Sequence, residues 1–142
     1  MKVRVLLVDD EQEFLEVLAE RLETRGFEVR TSLNGDDALA KLNEREADVV
    51  ILDVLMPGKD GIETLRDIKQ LNPLIEVIML TGHATIETAI HGLKLNAYDY
   101  LMKPTDTEAL VSKITHAHRR KASQEERIRL AEVEKIVKTR GW

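Results

Sequence analysis

The sequence has no cysteine, which excludes disulfides, thiolate metal centres and cysteine nucleophiles. Aromatic residues make up only 4% of its 142 residues, so a core must be built from Val, Leu, Ile and Ala. No apolar stretch approaches the roughly 20 residues that span a bilayer. The run Val3–Val8 is too short for a signal peptide and leads straight into acids. A soluble, cytoplasmic protein without membrane attachment is expected. Its length and 43% hydrophobic content suit one ordinary domain plus one extra helix. The net charge of −5 is uneven. Residues 1–118 carry 13 basic and 22 acidic side chains, and residues 119–142 carry 8 and 4. An acidic body argues against nucleic-acid binding, and the mixed signs of the tail predict a solvated helix face.

What is present is an alternation of short apolar runs with amphipathic stretches. Val3–Val8 reads as a buried strand, and Phe14, Leu15, Val17, Leu18 and Leu22 recur at helical spacing until Gly26. Residues 27–31 alternate as a more exposed strand. Asn34-Gly35 signals a turn, followed by a helix marked by Ala38, Leu39 and Leu42. A third strand, Val49–Leu52, runs into Asp53. Met56-Pro57-Gly58 breaks the chain before a helix carrying Ile62, Leu65, Ile68 and Leu71, which Pro73 stops. Residues 75–80 form a fourth strand, Ile86, Ala89, Ile90 and Leu93 the face of a fourth helix, and residues 98–102 a fifth strand ended by Lys103-Pro104. The last helix of the body starts at Thr105 or Asp106 as N-cap and carries Leu110, Val111 and Ile114.

Five strand–helix alternations predict an α/β fold with a parallel sheet covered on both faces. Ligand sites in such sheets lie beyond the carboxyl ends of the strands. The residues there are Asp9 and Asp10, Asp53, Thr81 and Lys103. Three carboxylates converging on one edge repel one another unless a cation joins them, and oxygen donors without His or Cys suit Mg2+. A carboxylate beside such a metal can attack phosphorus to give an acyl phosphate. Lys103 and the Thr81 hydroxyl are placed to offset charge on the phosphoryl oxygens. Each feature alone is ordinary, since Asp-Asp after a strand commonly caps a helix, but their order and spacing together are restrictive.

Across residues 3–120 the sequence resembles the response-regulator receiver family of two-component signalling. The likeness rests on Leu7-Val8-Asp9-Asp10-Glu11, on Leu52 to Gly61, on Leu80-Thr81-Gly82-His83 and on Ala97 to Pro104. In detail it is similar to receivers of nitrogen-regulation-type transcription regulators. The resemblance implies a flavodoxin-like, doubly wound five-stranded parallel sheet in the order 2-1-3-4-5 with five helices, the last extended. It implies Asp53 as phosphoacceptor and Mg2+ held by Asp10 directly, by Asp9 largely through water, by Asp53 and by the backbone carbonyl of Leu55. It further implies Lys103 and Thr81 at the phosphoryl group, the Gly82 N–H on a phosphoryl oxygen, a cis Lys103–Pro104 bond, and Thr81 with Tyr100 as the switch pair. The implied partner is a sensor histidine kinase or phosphotransfer protein, and the implied output is a reshaped surface of the fourth helix, fifth strand and fifth helix. Such a chain catalyses only its own phosphorylation and dephosphorylation.

Two positions depart from the common pattern. Asn96 stands where many relatives carry Gly, and Asn is the next-best residue for a left-handed C-terminal position. Leu55 replaces side chains that help position hydrolytic water, which predicts a long-lived phosphoryl group. His91, His116 and His118 do not share a helix face, so no transition-metal site is expected. His83 either borders the site or is a bystander. We expect a receiver domain over residues 1–121 and a helical C-terminal extension or linker over 122–142. In that extension Ile128, Leu130, Val133, Ile136 and Val137 form a partial apolar stripe. One reading of it is a signalling helix that pairs two receivers or joins an output module, and a frayed amphipathic extension is the other; a homodimer through the fourth helix, fifth strand and fifth helix is a further expectation. The segment has no Gly-rich ATPase loop and no room for a helix-turn-helix. An Asp-nucleophile phosphatase and a phosphorylation-independent interaction domain are the competing readings of the whole.

Overall fold

Alternating apolar residues that are buried on both sides can only be satisfied by a sheet between two layers of helices. The computed structural model, which describes residues 2–54, 56, 60–82 and 86–139, has this arrangement. In chain order the elements are β1 (Arg4–Val8), α1 (Gln12–Glu23), β2 (Glu28–Ser32), α2 (Gly35–Glu44), β3 (Val49–Leu52), α3 (Gly61–Leu71), β4 (Glu76–Thr81), α4 (Ile86–Lys94), β5 (Asp99–Met102) and α5 (Thr107–Thr139). All strand pairs are parallel, in the order β2-β1-β3-β4-β5, as expected. Leu55, Pro57, Gly58, His83 and Trp142 lie outside the described residues.

The two-residue period of the strands divides the core. Leu6, Val8, Val50, Leu52, Val77 and Met79 face α2 and α3, meeting Ala38, Leu42, Leu65 and Ile68. Val5, Leu7, Val49, Ile51, Ile78 and Leu80 face α1 and α5, meeting Leu15, Leu18, Leu22, Leu110, Ile114 and Ala117. The edge strands β2 and β5 are only partly covered, which explains the polar alternation of residues 28–32.

Helix ends follow local chemistry. Asn34 and Asp60 cap α2 and α3, their side chains accepting from the N–H groups of Asp37 and Glu63 at 2.8 Å; this satisfies donors that a helix cannot pair internally. The Asp106 carbonyl accepts from the Leu110 N–H, making Asp106 rather than Thr105 the N-cap of α5. α1 closes with the Phe27 N–H on the Leu22 carbonyl and the Gly26 N–H on the Glu23 carbonyl, and α4 repeats this with Ala97 on Gly92 and Asn96 on Leu93. The residue at the left-handed position is Gly26 (φ +90°) in the first case and Asn96 (φ 71°) in the second, so Asn96 does what its place in the sequence predicts.

α5 is 33 residues long. Its buried side chains are Leu110, Ile114, Ala117 and Lys121, and from Ala122 onward almost every described residue is exposed. The solvated face expected for the tail holds there. Lys121 is the exception, with only 2% of its surface exposed.

Candidate functional site

The sheet ladder itself sets the site, because its hydrogen bonds run past the strand ends. The Asp9 N–H donates to the Ser32 carbonyl at 3.1 Å, the Asp53 N–H to the Val8 carbonyl at 2.9 Å and the Lys103 N–H to the Thr81 carbonyl at 2.9 Å. Each residue is thus fixed to the neighbouring strand at one edge. Asp9 and Asp53 are buried there, Thr81 has no exposed surface and Asp10 is exposed. Ligand oxygens of Asp9, Asp10 and Asp53 lie within 4.8 Å of one another.

Lys103, the residue after β5, reaches two of these three carboxylates. Its Nζ is 2.5 Å from Asp9 Oδ2, 3.4 Å from Glu11 Oε1 and 3.9 Å from Asp53 Oδ2, and 4.1 Å from the centre of the Phe14 ring. The second Asp9 oxygen accepts from the Glu11 N–H at 2.9 Å. Burial pushes the Asp9 carboxyl above the ordinary carboxylate range; the Lys103 hydrogen bond and charge oppose this, and the nearby Asp53 charge adds to it. Burial pulls Lys103 down, but its hydrogen bond with Asp9 and the charges of Asp9, Asp53 and Glu11 outweigh that and leave it above its usual value. The site therefore holds more negative charge than one ammonium offsets. Three hard oxygen donors so close together fit a divalent cation of the Mg2+ type, and this is the one such cluster among the described residues.

Val54, the residue after Asp53, is tied to the start of α3. The Gly61 N–H donates to the Val54 carbonyl at 2.8 Å, and a Cβ on Gly61 would overlap the Asp53 carbonyl oxygen and Val54 Cα. Only glycine permits that approach. Gly82 follows Thr81 with its Cβ position 3.9 Å from the Lys103 side chain, and the Lys103–Pro104 bond is cis.

Asp9, Asp10, Asp53 and Lys103 are thus brought together, with Thr81 and Gly82 on the same edge. Tyr100 is different. It pairs in register with Met79, two residues before Thr81, and is 38% exposed. The Leu55 carbonyl and His83 fall among the residues not described. Of the remaining histidines, His91 and His116 are exposed and His118 is half-buried. Sequence reasoning assigned Phe14 to the core alone and gave Glu11 no contact with Lys103. Their place in the first turn after Asp10, which turns back over the strand ends, was the available signal.

A family model for the response regulator receiver domain matches residues 5–115. The transcriptional regulatory protein ZraR of Salmonella typhimurium is 41% identical over 109 residues, 77% of this chain and 25% of that protein. An NtrX-like response regulator of Rickettsia conorii is 40% identical over 115 residues, 80% of this chain and 24% of that protein. The chain therefore spans about a quarter of the length of these curated relatives. Among solved structures, NtrX of Brucella abortus in complex with ADP superposes with a TM-score of 0.86 at 34% identity, covering 92% of this chain and 30% of that one. A CheY-like receiver domain protein from Methanospirillum hungatei superposes with a TM-score of 0.84 at 29% identity, covering 87% and 99%. With the strand order, the acid trio and this match over most of its length, the chain belongs to the response regulator receiver domain family.

Proposed function

We propose that Asp53 accepts a phosphoryl group from a phosphohistidine on a partner histidine kinase or phosphotransfer protein, in a reaction that requires Mg2+. The observation that carries this reading is the convergence of the Asp9, Asp10 and Asp53 carboxylates, with the Lys103 ammonium against Asp9 and Asp53. Asp53 Oδ attacks phosphorus, the phosphorus–nitrogen bond breaks as the phosphorus–oxygen bond forms, and its electron pair goes to the imidazole nitrogen, which leaves as neutral imidazole when the other ring nitrogen carries a proton and otherwise takes a proton from solvent to become neutral. Asp10, Asp53, the Leu55 carbonyl and, largely through water, Asp9 would hold Mg2+, which would supply charge neutralisation at the phosphoryl oxygens. Lys103 contributes a second positive charge, Thr81 a hydroxyl donor and Gly82 a backbone N–H. Burial of Asp53 supports the reading, because a shielded carboxylate keeps water from the acyl phosphate.

The phosphoryl group biases a two-state equilibrium. Thr81 moves toward the new oxygens and Tyr100 turns inward, reshaping the surface of α4, β5 and α5. In the present structure that surface exposes Ile90, Leu93, Tyr100 and Met102, an apolar patch suited to a protein partner. Residues 1–121 act as the receiver and residues 122–142 as a helical extension; the end of burial on α5 at Lys121 supports that division. Ile128, Leu130, Val133 and Ile136, exposed on the extension, suit pairing with a second copy.

The test is incubation with Mg2+ and acetyl phosphate followed by intact-mass measurement. One added phosphoryl group is expected, lost in Asp53→Asn and slow to hydrolyse because Leu55 cannot orient water. No adduct on the parent protein refutes phosphotransfer.

A further inference from the structure

Lys103 is surrounded by anions, but one of its partners is uncharged. Its side chain is 14% exposed, and its Nζ sits 4.1 Å from the centre of the Phe14 ring. Phe14 is partly buried and packs on the α1–α5 side of the core. It also lines a small cavity beneath the site together with Asp9, Asp53, Ile51 and Leu80. The ring is therefore anchored in the core and presents one face to the ammonium, the arrangement in which its quadrupole attracts a cation.

The distances raise a question about Lys103. At 2.5 Å from Asp9 and 3.9 Å from Asp53, the ammonium favours the wrong carboxylate for chemistry at Asp53. A divalent cation drawn to the trio competes with Lys103 for Asp9, the shortest of its contacts. Glu11 is a weak substitute, because it is 3.4 Å away and its side chain is 64% exposed. The attraction of the Phe14 ring is unaffected by that competition, since a neutral aromatic face does not bind Mg2+.

We propose that Phe14 is a positioning residue, whose ring face keeps the Lys103 ammonium within reach of Asp53 when a divalent cation takes the Asp9 carboxylate from it. This rests on the phosphoacceptor reading of Asp53. Phe14 acts through Lys103 and does not touch the transferred group.

The experiment uses the full chain with Phe14 replaced by leucine, by tyrosine and by 3,4,5-trifluorophenylalanine. The last keeps the shape of the ring and cancels most of its quadrupole. Two readouts are taken in saturating Mg2+: the proton shifts of the Lys103 ε-methylene, and the rate of phosphoryl uptake from acetyl phosphate. Mg2+ affinity is measured by calorimetry. In the parent protein the ε-methylene protons are expected upfield, under the ring, and Phe14→Leu returns them to ordinary values. Uptake falls about three- to tenfold in both Phe14→Leu and the trifluorinated protein, the scale of a partly desolvated cation–π contact. Phe14→Tyr, which retains the π face, restores it, and Mg2+ affinity stays within about twofold throughout. A trifluorinated protein as fast as the parent overturns the proposal, because only shape then matters; so does a parallel loss of Mg2+ affinity. If the parent forms no adduct at all, the phosphoacceptor reading fails. The Lys103 shifts in Mg2+ then still decide Phe14, since an ammonium that has left the ring shows no upfield displacement.

Discussion

Lys121 offers the sharpest test of how this fold manages charge. Its ammonium is 3.3 Å from Asp48 Oδ1 and 3.2 Å from Glu125 Oε2. Asp48, also buried, accepts from the Arg4 backbone N–H at 2.8 Å and from the Arg4 guanidinium at 3.2 and 3.4 Å. Removing one partner of a buried pair costs about 3–5 kcal/mol when the other charge is stranded. Lys121→Met strands nothing, because Asp48 keeps Arg4 and the Met stem fills the same space, so about 1 kcal/mol is expected. Asp48→Asn leaves a buried ammonium with only the half-exposed Glu125, and about 3 kcal/mol is expected. In the Asp48→Asn background, Lys121→Met should then restore stability, giving a coupling of about 2 kcal/mol. Urea unfolding of the four proteins measures the cycle. The Asp48 carboxyl feels burial pushing it up, but the hydrogen bonds from Arg4 and the charges of Arg4 and Lys121 hold it below the ordinary value of 3.8. A carboxylate with a depressed folded pKa stabilises the protein above its unfolded pKa and loses that contribution as pH falls through the folded one. The gap between parent and Asp48→Asn should therefore be full at neutral pH and narrow only below about pH 3.8. If Lys121→Met destabilises the Asp48→Asn protein as much as the parent, the pair is not coupled and the reasoning fails.

Three further outcomes follow from the same structure. Asn96→Gly should raise stability by about 0.5–1 kcal/mol by removing the Cβ strain of the left-handed residue, while Asn96→Val should lower it by at least about 1 kcal/mol, both read by thermal unfolding. Gly61→Ala forces a Cβ into the Asp53 carbonyl and Val54 Cα, and a loss of about 1–3 kcal/mol in chemical denaturation is expected, with slower phosphoryl uptake at the displaced Asp53. Mg2+ at about 100 times its dissociation constant should stabilise the protein by about 2.7 kcal/mol in thermal melts; Asp10→Asn should need far more Mg2+ for the same shift.

The grouping of the candidate site was legible because its residues lie at strand ends, and strand ends can be read from runs that stop at a charged residue. Asp9, Asp10, Asp53 and Lys103 each follow such a run. The αL position of Asn96 was legible for the same local reason. Boundaries slipped by a residue where the ladder outlasts the apolar pattern: β4 runs through Thr81 because its carbonyl still accepts from Lys103. Strand order was legible through resemblance, since nothing local says that β1 pairs with both β2 and β3. Side-chain partners far apart in the chain were not legible. Asp48 and Lys121 are 73 positions apart, and Lys121 stands in a run of basic residues that reads as a solvated face.

The two ends of the sheet handle charge in opposite ways. Below, the acids Asp48 and Glu76 are both buried, and each meets two cations: Arg4 and Lys121 for Asp48, Lys69 and Arg120 for Glu76. The cost of burying a carboxylate is offset on the spot, and the pairs tie the last docked turn of α5 to the bases of β3 and β4. Above, three carboxylates converge and one ammonium meets two of them. That imbalance disfavours the resting site, and a divalent cation or the groups that accompany a phosphoryl transfer would relieve it. Under the proposed phosphotransfer, a charge added at the upper end would act on a site still unbalanced, while the acids of the lower end are already paired.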